Sequence, residues 1–325
     1  MNQNAKKIII IAIAGLLLSA SAVLGVRYIK HTYIDTGQPH SVKNSIDAMG
    51  IFSEIGTLFD SALRGEKDGR INALLLGMGG QAHISGELTD TVILASFNIE
   101  RERLDLFSIP RDLWVRANEN NFQKINELYR FAGGTENPDI TKINDIKEKV
   151  RAIAGLPVHY TALINFQGVV DIVDALGGVT IESRQLDGKS ALTYIRDRST
   201  PGGDFDRMLR QQELIRALAA KVKAENGAIG ETADIGKLLA ALDENFGFDA
   251  SLTNLLRFAQ MAQNVKKENI FSHAITSQSG GPLLAEYRNI GEREIYILTP
   301  KAGLEDYSEV QSFIQQIIDE QGTNN

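Results

Sequence analysis

The pattern of apolar and polar positions divides the chain into an N-terminal apolar run, a linker with one amphipathic helix, and a long region of mixed periodicity. The apolar run, 8–26, is uncharged and lies between Lys7 and Arg27. At 1.5 Å per residue it extends over roughly 28 Å, close to the ~30 Å hydrocarbon core of a bilayer. It predicts a transmembrane anchor. A cleaved signal peptide is the alternative, because Ala20–Ala22 resembles a small-residue cleavage site.

Basic residues on the two sides of this run nearly balance, so charge alone does not fix the orientation of the anchor. Two lysines precede the run, and Arg27, Lys30 and Lys43 follow it. A tail as short as 1–7 is typical of an anchor whose N-terminus is cytoplasmic. Most of the protein would then lie outside the cell.

Residues 27–68 are predicted to form a linker and an amphipathic helix. Apolar side chains recur at three- and four-residue spacing from Ile46 to Leu63, as in a helix with one apolar face. The polar face carries Asp47, Glu54 and Asp60 rather than the Lys and Arg expected of a helix lying on a membrane. We expect this helix to pack against the following domain.

The region 69–232 is predicted to be an α/β domain. Its apolar patterns predict strands at 71–77, 91–97, 103–109, 158–164 and 179–181, and helices at 123–132, 142–154 and 167–175. The second and third strands are short enough and close enough to form an antiparallel hairpin. Strands interleaved with helices predict a mixed central β-sheet sandwiched by helices.

The region 233–325 is expected to complete the same domain rather than to form a separate one. Helical patterns occur near 234–244 and 252–264, a strand ends at Pro300, and a last helix covers 307–319. The sequence contains no internal repeat that would indicate a separate module.

Composition narrows the classes of function. The net charge of −7 argues against non-specific binding of nucleic acid, which requires a basic surface. The absence of cysteine excludes disulfides, thiolate nucleophiles and zinc–thiolate sites. The histidines show no metal-ligand spacing, so we expect no histidine metal site.

Two charged residues stand at predicted strand ends. Asp90 directly precedes the strand 91–97, and its carboxylate is expected at the edge of the sheet beside the glycine-rich loop 77–86. Arg111 follows Pro110, which ends the preceding strand. For either charge alone, a solvated loop charge or a local ion pair is the better interpretation. The loop lacks the spacing of a P-loop or a dinucleotide-binding motif and is interpreted as a tight turn.

The segment 187–212 is unusually rich in arginine. Asp187 is predicted to cap a short helix that ends near Arg196, and Asp204 to cap the next helix after a Pro-Gly-Gly turn. On that second helix Arg207, Arg210 and Gln211 share one face. Guanidinium groups near a helix N-terminus are suited to binding phosphate. The segment 187–216 also holds six basic and five acidic residues, so composition alone slightly favours the alternative, a network of surface ion pairs.

Seven segments, in order, resemble the LytR-CpsA-Psr family of bacterial cell envelope proteins, also called cell envelope-related transcriptional attenuators. They are NALLLG at 72–77, LTDTVILASF at 88–97, SIPRDLWV at 108–115, KINELYRFAGG at 124–134, VDALGGV at 173–179, LDGKSALTYIRDR at 186–198 and DFDRMLRQQ at 204–212. The resemblance implies an extracytoplasmic, membrane-anchored phosphotransferase. Such an enzyme would move a glycopolymer from a polyprenyl-diphosphate carrier onto peptidoglycan, with Mg²⁺ as cofactor and without nucleic acid as a partner.

The resemblance also assigns roles to individual residues. It implies catalytic roles for Arg111, Arg196, Arg198, Asp204 and Arg207. It implies substrate contacts by Lys124, Asn126, Arg210 and Gln211, and a metal contact by Asp90. For Asp204 two roles stay open, which are orienting an arginine and deprotonating the acceptor hydroxyl.

The chain departs from the family pattern at two positions near this site. Gly79 stands where the family usually has an aspartate, and Leu88 stands where it usually has an arginine. His83 and Glu87 are the nearest possible substitutes. These departures keep two alternatives open, a non-catalytic polyprenyl-diphosphate-binding protein and an envelope-linked transcriptional regulator. A pyrophosphatase side activity is a further expectation.

Overall fold

The computed structural model describes residues 62–81, 83–224, 245–250, 265–278 and 280–319, together with positions 254, 257, 258 and 261. The predicted anchor at 8–26, residues 27–61 of the predicted linker and amphipathic helix, and the helix predicted at 234–244 lie outside the described residues. Among the helices that are described, none is both long and apolar enough to cross a bilayer.

A six-stranded mixed sheet forms the centre of the fold. Its strands are β1 (Arg70–Met78), β2 (Thr91–Asn98), β3 (Arg103–Ser108), β6 (Tyr160–Asn165), β9 (Phe246–Phe248) and β10 (Ile270–Ala274). They lie side by side in the order β10-β3-β2-β1-β6-β9. β1 pairs antiparallel with β2 and parallel with β6, and β3 pairs antiparallel with β2 and parallel with β10. The predicted mixed sheet and the predicted hairpin of the second and third strands are confirmed.

Side chains of β1 alternate between two apolar layers, as the two-residue period of a strand requires. Leu74 and Leu76 lie in the layer that also holds Val150 and Val310, whereas Ile71 lies in the opposite layer against Tyr160. Both faces of the central strands are therefore covered, which explains why these strands are apolar at nearly every position.

Six α-helices surround the sheet in the described part of the chain. They are α1 (Leu128–Phe131), α2 (Asn144–Ala154), α3 (Phe166–Ala175), α4 (Gly188–Arg196), α5 (Asp204–Ala224) and α6 (Ser308–Asp319). α3, α4 and α5 share an apolar cluster that includes Val173, Ala191 and Leu214. Asp187 caps α4 as predicted, because its carboxylate accepts a hydrogen bond from the Ser190 amide.

Three two-stranded hairpins lie outside the central sheet. They are β4 (Trp114–Asn118) with β5 (Asn121–Lys124), β7 (Val179–Ile181) with β8 (Arg184–Leu186), and β11 (Leu283–Ile290) with β12 (Arg293–Pro300). The helix predicted at 123–132 is shorter than expected. Its first residues belong to β5, because Lys124 pairs with Trp114 across the hairpin, and a 3₁₀ turn at Ile125–Glu127 separates β5 from α1.

Candidate active site

Strand pairing brings Asp90 and Arg111 to the same edge of the sheet. Thr91 at the start of β2 lies opposite Gly77 near the end of β1, and Ser108 at the end of β3 lies opposite Ile93. Asp90 directly precedes β2, and Arg111 follows β3 after a proline. The Arg111 Nη1 lies 3.0 Å from the Asp90 Oδ2, so the two predicted strand-end charges form an ion pair.

The N-terminus of α5 meets this edge and completes a group that we call the arginine cluster. It consists of Arg111, Arg198 and Arg207 with Asp90 and Asp204. The Asp204 Oδ1 lies 3.2 Å from the Arg198 Nε, 2.9 Å from the Arg207 Nη2 and 3.5 Å from the Arg111 Nε. The Arg207 Nη2 also donates to the backbone carbonyl of Asp90 at 3.1 Å. Asp204 is the first residue of α5 rather than its cap, and its carboxylate orients guanidinium groups.

Lys124 and Asn126 extend the arginine cluster on the side of the β4–β5 hairpin. The Asn126 Nδ2 donates to the Asp90 Oδ1 at 2.8 Å. The Lys124 Nζ donates to the Asp112 Oδ1 at 2.6 Å, and the Asp112 Oδ2 lies 3.6 Å from the Arg111 Nε. Asp112 was not among the predicted site residues, although it directly follows Arg111 in the segment SIPRDLWV.

The three arginines of the cluster differ in depth. The exposed fraction of the side chain is 43% for Arg198, 22% for Arg111 and 3% for Arg207. Arg207 therefore lies beneath the other two guanidinium groups. In the part of the chain that the structure describes, the buried Nε atoms of Arg111 and Arg207 have no hydrogen-bond partner. The Arg111 Nε instead faces Asp112 at 3.6 Å and Asp204 at 3.5 Å, so ion pairs with carboxylates hold this guanidinium.

The surroundings of the cluster lower the pKa of Asp90, which keeps it ionised, and they also lower the pKa of Arg207, the most buried of the three arginines. Burial alone would raise the pKa of Asp90, but the guanidinium of Arg111, the amide of Asn126 and the charge of Arg207 together hold that pKa below its ordinary value. Burial lowers the pKa of Arg207 to about 10, although Asp204 opposes this, and the nearby charges of Arg111 and Arg198 lower it further. A ligand with negative charge would relieve the crowding of these cations.

Arg196, Arg210 and Gln211 lie outside the arginine cluster. The Arg196 Nη2 lies 2.9 Å from the His83 Nε2 in the loop after β1. Arg210 donates to the Asp197 carbonyl at 2.9 Å and to the Thr200 Oγ1 at 3.0 Å, so it stabilises the turn between α4 and α5. Gln211 is 8% exposed on α5. The structure thus brings Arg111, Arg198, Arg207 and two aspartates together, with Lys124 and Asn126 beside them.

A cavity of 510 Å³ opens beside Arg111, between the β4–β5 and β11–β12 hairpins. Much of its wall is apolar, with side chains of Leu88, Trp114, Phe122, Ile290 and Ile295. Leu88, the position at which the family usually has an arginine, contributes to this apolar wall. The cavity therefore places apolar surface next to the cationic cluster.

No group of three or more histidine, aspartate or glutamate side chains suited to a metal ion occurs among the residues that the structure describes. Of the two possible substitutes for the missing aspartate, Glu87 pairs with Arg130 at 3.5 Å and His83 contacts Arg196. Neither residue therefore adds a metal ligand beside Asp90, the predicted metal contact. The two carboxylate oxygens of Asp90 already accept hydrogen bonds from Arg111 and Asn126.

Comparison with known proteins identifies the family. The LytR_cpsA_psr family model matches residues 36–185 and 183–299. A polyisoprenyl-teichoic acid–peptidoglycan teichoic acid transferase, TagU from Oceanobacillus iheyensis, is 30% identical over an alignment of 233 residues that covers 65% of this chain and 69% of the relative. The structure resembles the Lin1025 protein of Listeria innocua, with a TM-score of 0.58, 26% identity and coverage of 79% of this chain and all of that one.

A structure described as TagT bound to LI-WTA shares the fold, with a TM-score of 0.57 at 19% identity over 79% of this chain and 92% of that one. The family model spans well over half of the chain, including every predicted site residue between Asp90 and Gln211. The sequence segments, the mixed sheet and these matches agree. The chain belongs to the LytR-CpsA-Psr family.

Proposed function

We propose that this protein transfers a glycopolymer from a polyprenyl-diphosphate carrier to peptidoglycan. The observation that carries the proposal is the convergence of Arg111, Arg198 and Arg207 from three separate segments on one edge of the sheet. With Lys124, four cationic side chains face the three carboxylates of Asp90, Asp112 and Asp204. The four cations exceed the three carboxylates by one positive charge, and guanidinium groups in a partly buried site are suited to the charge of a diphosphate. The name of the TagU relative supports the same class of reaction.

The cavity beside Arg111 supports a lipid-linked diphosphate as the substrate. Besides polar side chains such as Gln123, this cavity presents apolar surface from Leu88, Trp114 and Ile290 next to the cationic cluster. An apolar chain attached to the diphosphate would gain roughly 25 cal/mol for each Å² of apolar surface removed from water. The arrangement favours a substrate with a charged centre and an apolar end.

In the proposed reaction a hydroxyl group of peptidoglycan attacks the phosphorus that carries the glycopolymer. The bond from that phosphorus to the bridging oxygen breaks, polyprenyl phosphate leaves with the electron pair, and the proton of the attacking hydroxyl passes to the leaving phosphate. Arg111 and Arg198 would bind the non-bridging oxygens and stabilise the charge that develops on the leaving phosphate. Arg207 holds Asp204 from beneath, and Asp204 orients the exposed guanidinium groups. Because three guanidiniums engage this carboxylate, orientation suits Asp204 better than general base catalysis.

We propose Mg²⁺ as the cofactor of this reaction. The donor set fits the ion, because Mg²⁺ in phosphoryl-transfer sites needs only one or two protein carboxylates and takes its other ligands from substrate phosphate and water. Asp90 would hold it, since its ionised oxygens retain lone pairs beside their bonds to Arg111 and Asn126. When bound, the ion would neutralise phosphate charge. With Gly79 in place of a second carboxylate, we expect its affinity to be low.

We further propose that the domain acts outside the cell and is anchored by the apolar run 8–26, with its N-terminus in the cytoplasm. The length of that run and the apolar part of the proposed substrate support this location. The substrate would then be presented at the membrane surface. If water replaced the acceptor hydroxyl in the same site, the result would be hydrolysis of the diphosphate, which is the proposed pyrophosphatase side activity.

The proposal is tested with a lipid-linked donor whose glycopolymer is labelled and with peptidoglycan as acceptor. Label entering peptidoglycan in step with release of polyprenyl phosphate is the expected result. The Arg111→Met variant should neither label peptidoglycan nor release polyprenyl phosphate. Donor binding without release would instead support the non-catalytic binding protein, which Gly79 favours as the second candidate. Release without labelled peptidoglycan would support a pyrophosphatase only.

A further inference from the structure

We propose that His83 is a positioning residue that holds Arg196 at the edge of the site, and that it occupies the place of the carboxylate missing at position 79. The inference rests on the proposed function, because it concerns how the same site binds a diphosphate. It starts from an arginine that the resemblance marks as catalytic and that the structure places outside the arginine cluster.

Arg196 is fixed by two contacts that are independent of the arginine cluster. Its Nη2 lies 2.9 Å from the His83 Nε2, and its Cζ lies 4.6 Å from the centre of the Phe166 ring. Arginine can only donate, so the His83 Nε2 must accept, and the neutral ring then carries its proton on Nδ1. His83 in turn meets Phe166 edge to face, with ring centres 5.2 Å apart. The three side chains form one unit.

Phe166 gives this unit a rigid base. It is the first residue of α3 and follows Asn165, whose carboxamide accepts from the Gly168 amide and so caps the helix. Phe166 also directly follows β6, a strand of the central sheet that pairs with β1. Through His83 and Phe166, the long and flexible Arg196 side chain is therefore tied to the sheet. An arginine held in this way loses less entropy when it binds phosphate.

The backbone at position 79 explains why His83 is available for this role. A Cβ built on Gly79 would lie only 2.9 Å from the Cβ, Cγ and Nδ1 of His83. Any side chain at position 79, including the usual aspartate, would therefore displace the imidazole. The structure thus links two sequence features that looked separate, the missing carboxylate and the histidine four residues later. In this chain an imidazole–guanidinium pair stands where a carboxylate would have stood.

A double-mutant cycle on His83 and Arg196 tests the proposal, with farnesyl diphosphate as the probe and its affinity measured by calorimetry. We expect His83→Leu to weaken binding by about threefold to tenfold, the effect of a partly exposed bond to a charged group. Arg196→Met should weaken it by at least as much. If His83 acts only through Arg196, then His83→Leu should have no further effect in the Arg196→Met background.

Two more variants separate positioning from a general loss of structure. His83→Gln keeps an acceptor near the same place and should recover most of the affinity. Ile84→Ala, at a neighbouring side chain that is 93% exposed, is the matched control and should bind as the unchanged protein does. Additive effects of His83→Leu and Arg196→Met would overturn the role of His83, even if transfer activity were normal. If the effects of His83→Leu and Arg196→Met on binding are coupled but the protein transfers no glycopolymer, the role of His83 stands and only the proposed reaction is contradicted.

Discussion

Replacement of Arg198 by glutamine separates ligand binding from stability most cleanly. The Arg198 side chain is 43% exposed, and it reaches Asp204 at 3.2 Å and Asp90 at 4.0 Å. Glutamine removes the charge and keeps a polar but shorter side chain. Asp204 would still lie 2.9 Å from the Arg207 Nη2, so no carboxylate is left without a cation.

The two effects of this change should differ in size. An exposed ion pair contributes about 0–1 kcal/mol to stability, so we expect the free energy of unfolding to fall by less than about 1 kcal/mol. A hydrogen bond between a guanidinium and a phosphate oxygen is instead worth about 1.5–3 kcal/mol. If Arg198 contacts the diphosphate in the transition state, kcat/KM should fall roughly 10- to 150-fold.

The assay is transfer of labelled glycopolymer to peptidoglycan, with urea unfolding measured on the same preparations. Arg184→Gln is the matched control, since Arg184 is 58% exposed and forms an ion pair with Glu182 at 2.5 Å on the β7–β8 hairpin. It makes the same chemical change in a surface pair outside the arginine cluster. If Arg198→Gln changed kcat/KM no more than Arg184→Gln does, Arg198 would not contact the diphosphate and the reasoning would be refuted.

Three further predictions concern charge and metal. Arg207→Met should lower the free energy of unfolding by about 1–3 kcal/mol, because two partly buried hydrogen bonds are lost while Asp204 keeps other partners. The measurement is urea unfolding, and an unchanged midpoint would contradict a structural role of Arg207. Since the folded pKa of Asp90 is depressed, its ionised form adds stability above about pH 4, and this is lost as pH falls through the folded pKa. The difference in unfolding free energy between the unchanged protein and Asp90→Asn should therefore shrink from pH 7 to pH 3. Chelation of Mg²⁺ by EDTA should weaken diphosphate binding in the unchanged protein but not in Asp90→Asn; an equal effect in both would place the ion elsewhere.

Four of the six strands of the central sheet could be predicted from sequence, because β1, β2, β3 and β6 are buried on both faces, whereas β9 and β10 are only partly buried and were not predicted. Apolar runs such as 71–77 and 91–97 leave few alternatives, and they appear as β1 and β2 with ends shifted by one residue. Of the β11–β12 hairpin, the strand β12, which ends at Pro300, was predicted, and the strand β11 was not. β11 carries exposed apolar side chains at Leu284, Tyr287 and Ile290, so its pattern lacks the alternation that marks a half-buried strand.

The arginines were harder to assign, because spacing does not reveal which way a side chain leaves a helix end. α4 ends at Arg196, and Asp197 is already extended, with φ −65° and ψ 132°. Arg196 and Arg198 therefore point to different partners although they are two residues apart. Arg207 and Arg210 share a helix face, yet one enters the cluster and the other bonds to the turn before α5. Such differences depend on tertiary contacts.

The two interpretations of the segment 187–212, an ion-pair network and a phosphate clamp, require the same arrangement of side chains. Three guanidinium groups cannot crowd together in a partly buried site without anions between them, and Asp90 and Asp204 supply these anions. The carboxylates thus hold Arg111 and Arg198 in place before a ligand arrives. A diphosphate would meet guanidiniums whose positions are already set, and this preorganisation lowers the cost of binding. The ion pairs are therefore a condition for the proposed clamp, and removing Asp204 should weaken diphosphate binding even though it removes a negative charge.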